Sequence, residues 1–174
     1  VGGDESKPAP TRLGTQEWTK AVSRARESTQ RLAVDLLALY AQREMAEGYA
    51  HSEDTPWQHE MEDAFPYVET PDQFGAILDV KGDLEGTRPM DRLGCGDVGF
   101  GKTEIALRAA FIAVHNHKQV ALLVPTTILA QQHFQTFRDR FADLPIQVEL
   151  LSRFRQRKDM EAVLESLPNG YPDI

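Results

Sequence analysis

The stretch that most constrains this chain is Gly96-Asp97-Val98-Gly99-Phe100-Gly101-Lys102-Thr103, which fits G-x-x-x-x-G-K-[ST] at every fixed position. A loop of this pattern must wrap backbone N–H groups around phosphate oxygens, so its glycines have to permit unusual dihedrals and close approach. The helix that follows turns its positive N-terminus toward the anion. Lys102 supplies a mobile charge for β- and γ-phosphates, and Thr103 a hydroxyl ligand for Mg²⁺. A glycine turn with an incidental lysine is the bland reading. The setting argues against it, because the loop follows a short strand (91–95) and opens an apolar helix. The expected ligand is a nucleoside triphosphate, ATP, with Mg²⁺.

Downstream the pattern alternates. Residues 102–114 read as a helix that is apolar nearly all round. Residues 119–124 (QVALLV) form the continuous apolar run of a central parallel strand. A helix over 127–141, a strand over 146–151 and a helix over 156–167 follow, and 171–174 reads as the start of another strand. Such alternation predicts an α/β fold, a partial RecA-like parallel sheet with right-handed crossovers and flanking helices.

Upstream, residues 1–14 are rich in Gly, Pro and charge and read as a linker. Residues 15–47 carry Trp18, Val22, Ala25, Leu32, Leu36, Leu39 and Tyr40 at three- and four-residue steps, the apolar stripe of one long helix. Thr15 suits its N-cap and Gly48 its stop. At ~1.5 Å per residue the helix spans about 50 Å, the length of a connector. Two short helices follow. Thr55-Pro56-Trp57-Gln58 and Thr70-Pro71-Asp72-Gln73 both have the form of a capping box with proline at the first helical position.

Several residues carry two readings. Gln73 either closes its capping box or reads the edge of adenine with its amide, and both can hold. Phe65 is either core or a ring for adenine to stack on. Thr126 and Thr127, after Pro125, either cap a helix or touch a nucleic acid phosphate. Arg153, Arg155, Arg157 and Lys158 are a solvated helix start or phosphate contacts. His115 and His117 suit a helix end, and Cys95 reads as a small packed hydrophobe.

The 27 acidic and 19 basic residues give a net charge of −8, so charge balance alone does not point to nucleic acid or an anionic membrane. One cysteine, no signal core and no long apolar run lead us to expect a reduced, cytoplasmic setting without membrane association. The absence of an initial Met leads us to expect a fragment boundary.

Taken together, FPYVETPDQ, MDRLGCGDVGFGKTEIALRAAF, NHKQVALLVPTTILAQQHFQTFRDRF and LSRFR resemble the bacterial transcription-repair coupling factors, with the RecG-type DNA translocases as near relatives. The similarity covers most of the chain. It implies a piece of a large ATPase that translocates on double-stranded DNA, displaces stalled RNA polymerase and recruits excision-repair proteins. It further implies that 1–14 trails a polymerase-interacting domain, that 15–64 is a helical connector, and that 65–174 opens the first RecA-like motor lobe. Phe65 and Gln73 match the adenine-reading motif and 96–103 the phosphate motif. Thr126, Thr127 and Gln131 fall in a DNA-touching motif, and Arg153 and Arg155 in another DNA-proximal segment.

Two departures from the family pattern stand out. Gly94 replaces a branched aliphatic residue before the loop, which costs a strand about 0.5–1 kcal/mol relative to Ala. No D-E-x-x box and no second lobe follow within the 174 residues, so this polypeptide is expected to bind nucleotide weakly and hydrolyse almost none. A RecG-like fork-remodelling helicase is the nearest alternative; the long arm and EGYAHSEDTPWQ argue against it. A non-catalytic interaction fragment with an idle P-loop is the other.

Overall fold

A computed structural model of the chain describes residues 14–174, so the linker expected over 1–14 lies outside the described residues apart from Gly14. Two compact units are present, divided between Ala46 and Glu47.

The first unit is α1 (Gln16–Met45). Thr15 caps it in extended geometry, its hydroxyl accepting from the Trp18 N–H at 3.3 Å. Glu17 in the first turn and Arg43 in the last complement the helix dipole. No residue of α1 is buried, and Leu32, Leu36, Leu39 and Tyr40 stand exposed. The helix stops at Met45, with Ala46 already extended, so Gly48 does not serve as its stop. Gly48 serves a close approach instead. A Cβ there would lie 2.8 Å from the Pro89 nitrogen, and the Gly48 N–H donates to the Thr87 carbonyl at 2.7 Å.

The second unit is built around α4 (Lys102–His115), packed on α3 (Pro71–Glu85) and α2 (Pro56–Asp63). Leu107, Ala110 and Phe111 of α4 meet Met61 of α2 and Phe137 and Phe141 at the end of α5 (Thr127–Arg140). Phe137 and Phe141 meet edge to face, with centroids 5.9 Å apart. Val120, Leu144, Ile146, Val148 and Ile174 close over this core, and α6 (Arg157–Ser166) buries Val163. The near-continuous apolar character of 102–114 is therefore explained by burial. Among the described residues no helix is long and apolar enough to cross a membrane.

The expected parallel sheet is not present as a sheet: among the described residues no β-strand forms. Only residues 171–174 make backbone bonds between the other segments. The Val120 N–H donates to Asp173 O at 2.8 Å. Ile174 donates to Gln147 O at 3.2 Å and accepts from the Glu149 N–H at 2.9 Å, the spacing used by a parallel pair. Ala121, Leu122 and Leu123 are exposed, and every residue of 91–95 is exposed. A strand needs a neighbour along its whole length, and these segments have too few. For the same reason Cys95 is exposed rather than packed.

Candidate functional site

The helix caps set the site apart. Threonine hydroxyls satisfy the N-termini of α1, α2, α3 and α5. The N-terminus of α4 has no side-chain cap; its N-cap is Gly101 in the left-handed region, φ +66°. Among the described residues, α6 and the short 3-10 helix Leu167–Asn169 share that lack. The first N–H groups of a helix without such a cap are open to an anion. The left-handed backbone favours glycine at 101, and a Cβ there would lie 2.5 Å from the Gln73 side-chain nitrogen, so that amide would have to move aside.

Lys102 folds back over the loop, and its Nζ donates to the Gly96 and Asp97 carbonyls at 2.6 Å each. Among the described residues no carboxylate pairs with it, so its charge is uncompensated. A Cβ at Gly96 would meet the Lys102 Cγ at 3.4 Å, an ordinary van der Waals contact. Asp97, Val98, Gly99 and Phe100 form the exposed outer turn, and Thr103 lies half-buried in the first turn of α4. Gln73 holds the loop from the other side. Its Oε1 accepts from the Thr70 N–H at 2.7 Å and its own N–H donates to the Thr70 hydroxyl at 3.3 Å, so the capping box is complete. Its remaining amide donor reaches the Phe100 carbonyl at 2.9 Å. By contrast, Gln58 turns away from Thr55 to Glu62, so the box at 55–58 is half formed. Arg92, before the loop, is gripped by Asp79 at 2.9 Å and by both oxygens of Asp83, which ties the incoming segment to α3.

Behind the loop lies an ion-pair network that the sequence reading missed. Glu104 and Arg108, both buried, pair at 3.0 Å across one turn of α4. Arg108 also pairs with Glu69 and approaches Glu62 at 3.8 Å, and Arg140 reaches the same Glu104 oxygen at 2.9 Å. Burial pulls the Arg108 guanidinium down, but hydrogen bonds to Glu69 and Glu104 outweigh it and leave its pKa raised. The Arg108 hydrogen bond holds the Glu69 carboxyl below its ordinary range. Of this network the Glu104–Arg108 pair alone left a local signal, a Glu and an Arg four apart on an otherwise apolar helix. Phe65 belongs to this network, half-buried, with the Arg108 and Arg140 guanidinium carbons 5.6 and 5.7 Å from its ring centre. Asp54, His59 and Glu62 also converge like metal ligands. Lys81 donates to both carboxylates there, so the protein supplies the cation itself.

The nucleic-acid candidates are spread out. Thr126 caps α5, accepting from the Leu129 N–H at 3.2 Å. It shares with Thr127 and Ser152 the lining of a cavity of about 450 Å³, walled by 119–125 and 148–151. Gln131 is exposed on α5, outside that lining. Arg153 is exposed and stacks on Phe154 at 5.3 Å. Arg155 is paired with Glu149 and bonds the Leu150 carbonyl at 3.0 Å, and Arg157 is paired with Glu161 at 2.7 Å. Of the expected cluster, Arg155 and Arg157 are thus already partnered.

Residues 70–174 match the DEAD/DEAH box helicase family, and the chain belongs to that family. Curated homologues at about half identity over the whole chain are named Transcription-repair-coupling factor. The protein of that name from Bacillus subtilis (strain 168) is 53% identical over 174 residues, and those from Staphylococcus haemolyticus (strain JCSC1435) and Staphylococcus aureus (strain USA300) are 52% and 49% identical. The match covers 100% of this chain and 15% of each relative. Among solved structures, RecG bound to a three-way DNA junction aligns with a TM-score of 0.72 and 31% identity, over 87% of this chain and 22% of that one.

Proposed function

We propose that this chain carries the ATP-binding segment of an ATP-dependent double-stranded DNA translocase that displaces stalled RNA polymerase and couples transcription to excision repair in the cytoplasm. The observation that carries it is the loop 96–103, whose lysine has no carboxylate partner among the described residues and whose helix has no side-chain cap. Names of the homologues support the biological role. In this reading the loop amides, Lys102 and Thr103 hold the triphosphate and its Mg²⁺, and Phe65 and Gln73 face the base. Lys102 leaves the Gly96 and Asp97 carbonyls to meet the γ-phosphate, and Gln73 keeps Thr70 while its free donor chooses between Phe100 and adenine.

The domain reading follows: 15–64 a connector from a polymerase-interacting region ending within 1–14, and 65–174 the opening of the first RecA-like lobe. Residues 91–95, 119–124, 146–151 and 171–174 are its strands, paired in the longer protein. Thr126, Thr127, Gln131, Arg153 and Arg155 face DNA. With no D-E-x-x box after the loop, the 174 residues alone bind nucleotide weakly and turn over almost none.

A fork-remodelling helicase is the second reading, favoured by the structural likeness to RecG. Titration of Mg-ATP into the parent chain and Lys102→Ala tests the nucleotide half, since binding that survives the substitution would remove the loop from the account. Anisotropy of a labelled duplex tests the DNA half. Arg153→Ala is expected to weaken binding and lower the salt slope by about 1, a value set by one lost phosphate contact. An unchanged slope would remove Arg153 from the DNA face.

A further inference from the structure

We infer that Arg140 is a positioning residue that ties the base side of the nucleotide site to its phosphate side. The inference rests on the proposed roles of 96–103 and Phe65. Arg140 is the last residue of α5, far from the loop in sequence. Its Nη2 donates to Glu104 Oε1 at 2.9 Å, and Glu104 directly follows Thr103 in the first turn of α4. The same nitrogen reaches the Met61 carbonyl at 3.2 Å and its sulfur at 3.8 Å. The guanidinium also lies over the Phe65 ring, 5.7 Å from its centre. One planar group therefore touches the element that would read the base and the helix turn that would hold the phosphates. Arg108 repeats the pattern from within α4, bonding the same Glu104 oxygen and lying 5.6 Å from the same ring.

Stability alone is a poor reason for this arrangement. Buried ion pairs often contribute little compared with well-packed apolar residues. Arg140 also buries its Nε hydrogen without a hydrogen-bond partner among the described residues, which is a cost. What a guanidinium offers and an ammonium does not is donation in its plane with a flat face left over for a ring. Holding Phe65 and Glu104 through one such group fixes the spacing between base and triphosphate contacts. A ligand with both parts benefits from that spacing, and a bare triphosphate does not.

The test is calorimetric titration of the 174-residue chain, its Arg140→Lys variant and its Arg140→Met variant with Mg-ATP and with Mg-tripolyphosphate. Arg140→Lys keeps the charge beside Glu104 and loses the flat face. It is expected to weaken Mg-ATP about tenfold, or about 1.4 kcal/mol, while Mg-tripolyphosphate changes by less than about threefold. Arg140→Met is expected to lose at least as much for Mg-ATP. Equal losses for both ligands, or no loss for Mg-ATP, would overturn the inference. So would an Arg140→Lys chain that fails to fold by circular dichroism, because Arg140 would then be a stability element. A parent chain that binds neither ligand overturns the nucleotide-site reading itself. A parent that binds both equally overturns only the base-side role of Phe65 and, with it, this inference.

Discussion

Replacing Arg108 with alanine should be the most damaging single change in the second unit outside its apolar core. The residue is 4% exposed. It is the shared partner of Glu104, itself 7% exposed, and of Glu69, and it approaches Glu62. Four carboxylates in this region (Asp54, Glu62, Glu69, Glu104) face three cations (Lys81, Arg108, Arg140), so losing Arg108 enlarges the negative excess around Glu104, the buried one of the four. Removing one member of a buried pair costs about 3–5 kcal/mol, since the other charge stays desolvated. Against a typical domain stability of about 5–15 kcal/mol this is at least about a fifth. With a urea slope of about 2 kcal/mol/M, the unfolding midpoint should fall by about 1.5–2.5 M. Trp57 fluorescence in a Trp18→Phe background reports on the second unit without signal from α1. A loss below about 1 kcal/mol would mean that these pairs behave as solvated surface pairs, and the network would not be what anchors α4.

Gly101→Ala should cost about 1–2 kcal/mol from the left-handed backbone alone. It should also push Gln73 off Phe100, so weaker Mg-ATP binding is expected with the stability loss, and unchanged binding would contradict the tight approach seen at Gly101. Gly94→Ala should be tolerated, because a Cβ there meets nothing within 4 Å; a gain of about 0.4–1 kcal/mol in urea unfolding is expected. The acid limb of stability should soften in Glu69→Gln. The Arg108 hydrogen bond depresses the Glu69 carboxyl below its ordinary 4.5, so its contribution is complete above that value and lost as pH falls through the folded value. Asp83, lowered from 3.8 by its hydrogen bond from Arg92, acts in the same direction, and urea midpoints from pH 3 to 7 would show both.

Local chemistry was the legible part of the sequence. Thr15, Thr55, Thr70 and Thr126 each cap the helix behind them, since a cap needs only residues three apart. The loop and the buried helix α4 were legible for the same reason. The ion-pair network was not, because Arg108 finds Glu69 39 residues away and Arg140 finds Glu104 36 residues away, distances no periodicity reports. The apolar runs at 91–95 and 119–124 were read as sheet strands, but pairing is a property of neighbours and among the described residues they have too few. Gly48 and Cys95 failed alike. Their environments are set by Pro89 and by a missing sheet neighbour, neither of which the local sequence encodes.

The central claim is that loop 96–103 is a formed phosphate site, and titration of Mg-ATP into the chain and its Lys102→Ala variant tests it most directly. The account expects saturable one-to-one binding to the parent and loss of at least about tenfold in the variant, or about 1.4 kcal/mol. Thermal unfolding should be little changed, since the Lys102 side chain is exposed and bonds only loop carbonyls. Parent binding that Lys102→Ala leaves intact, or no binding by a folded parent, would contradict it.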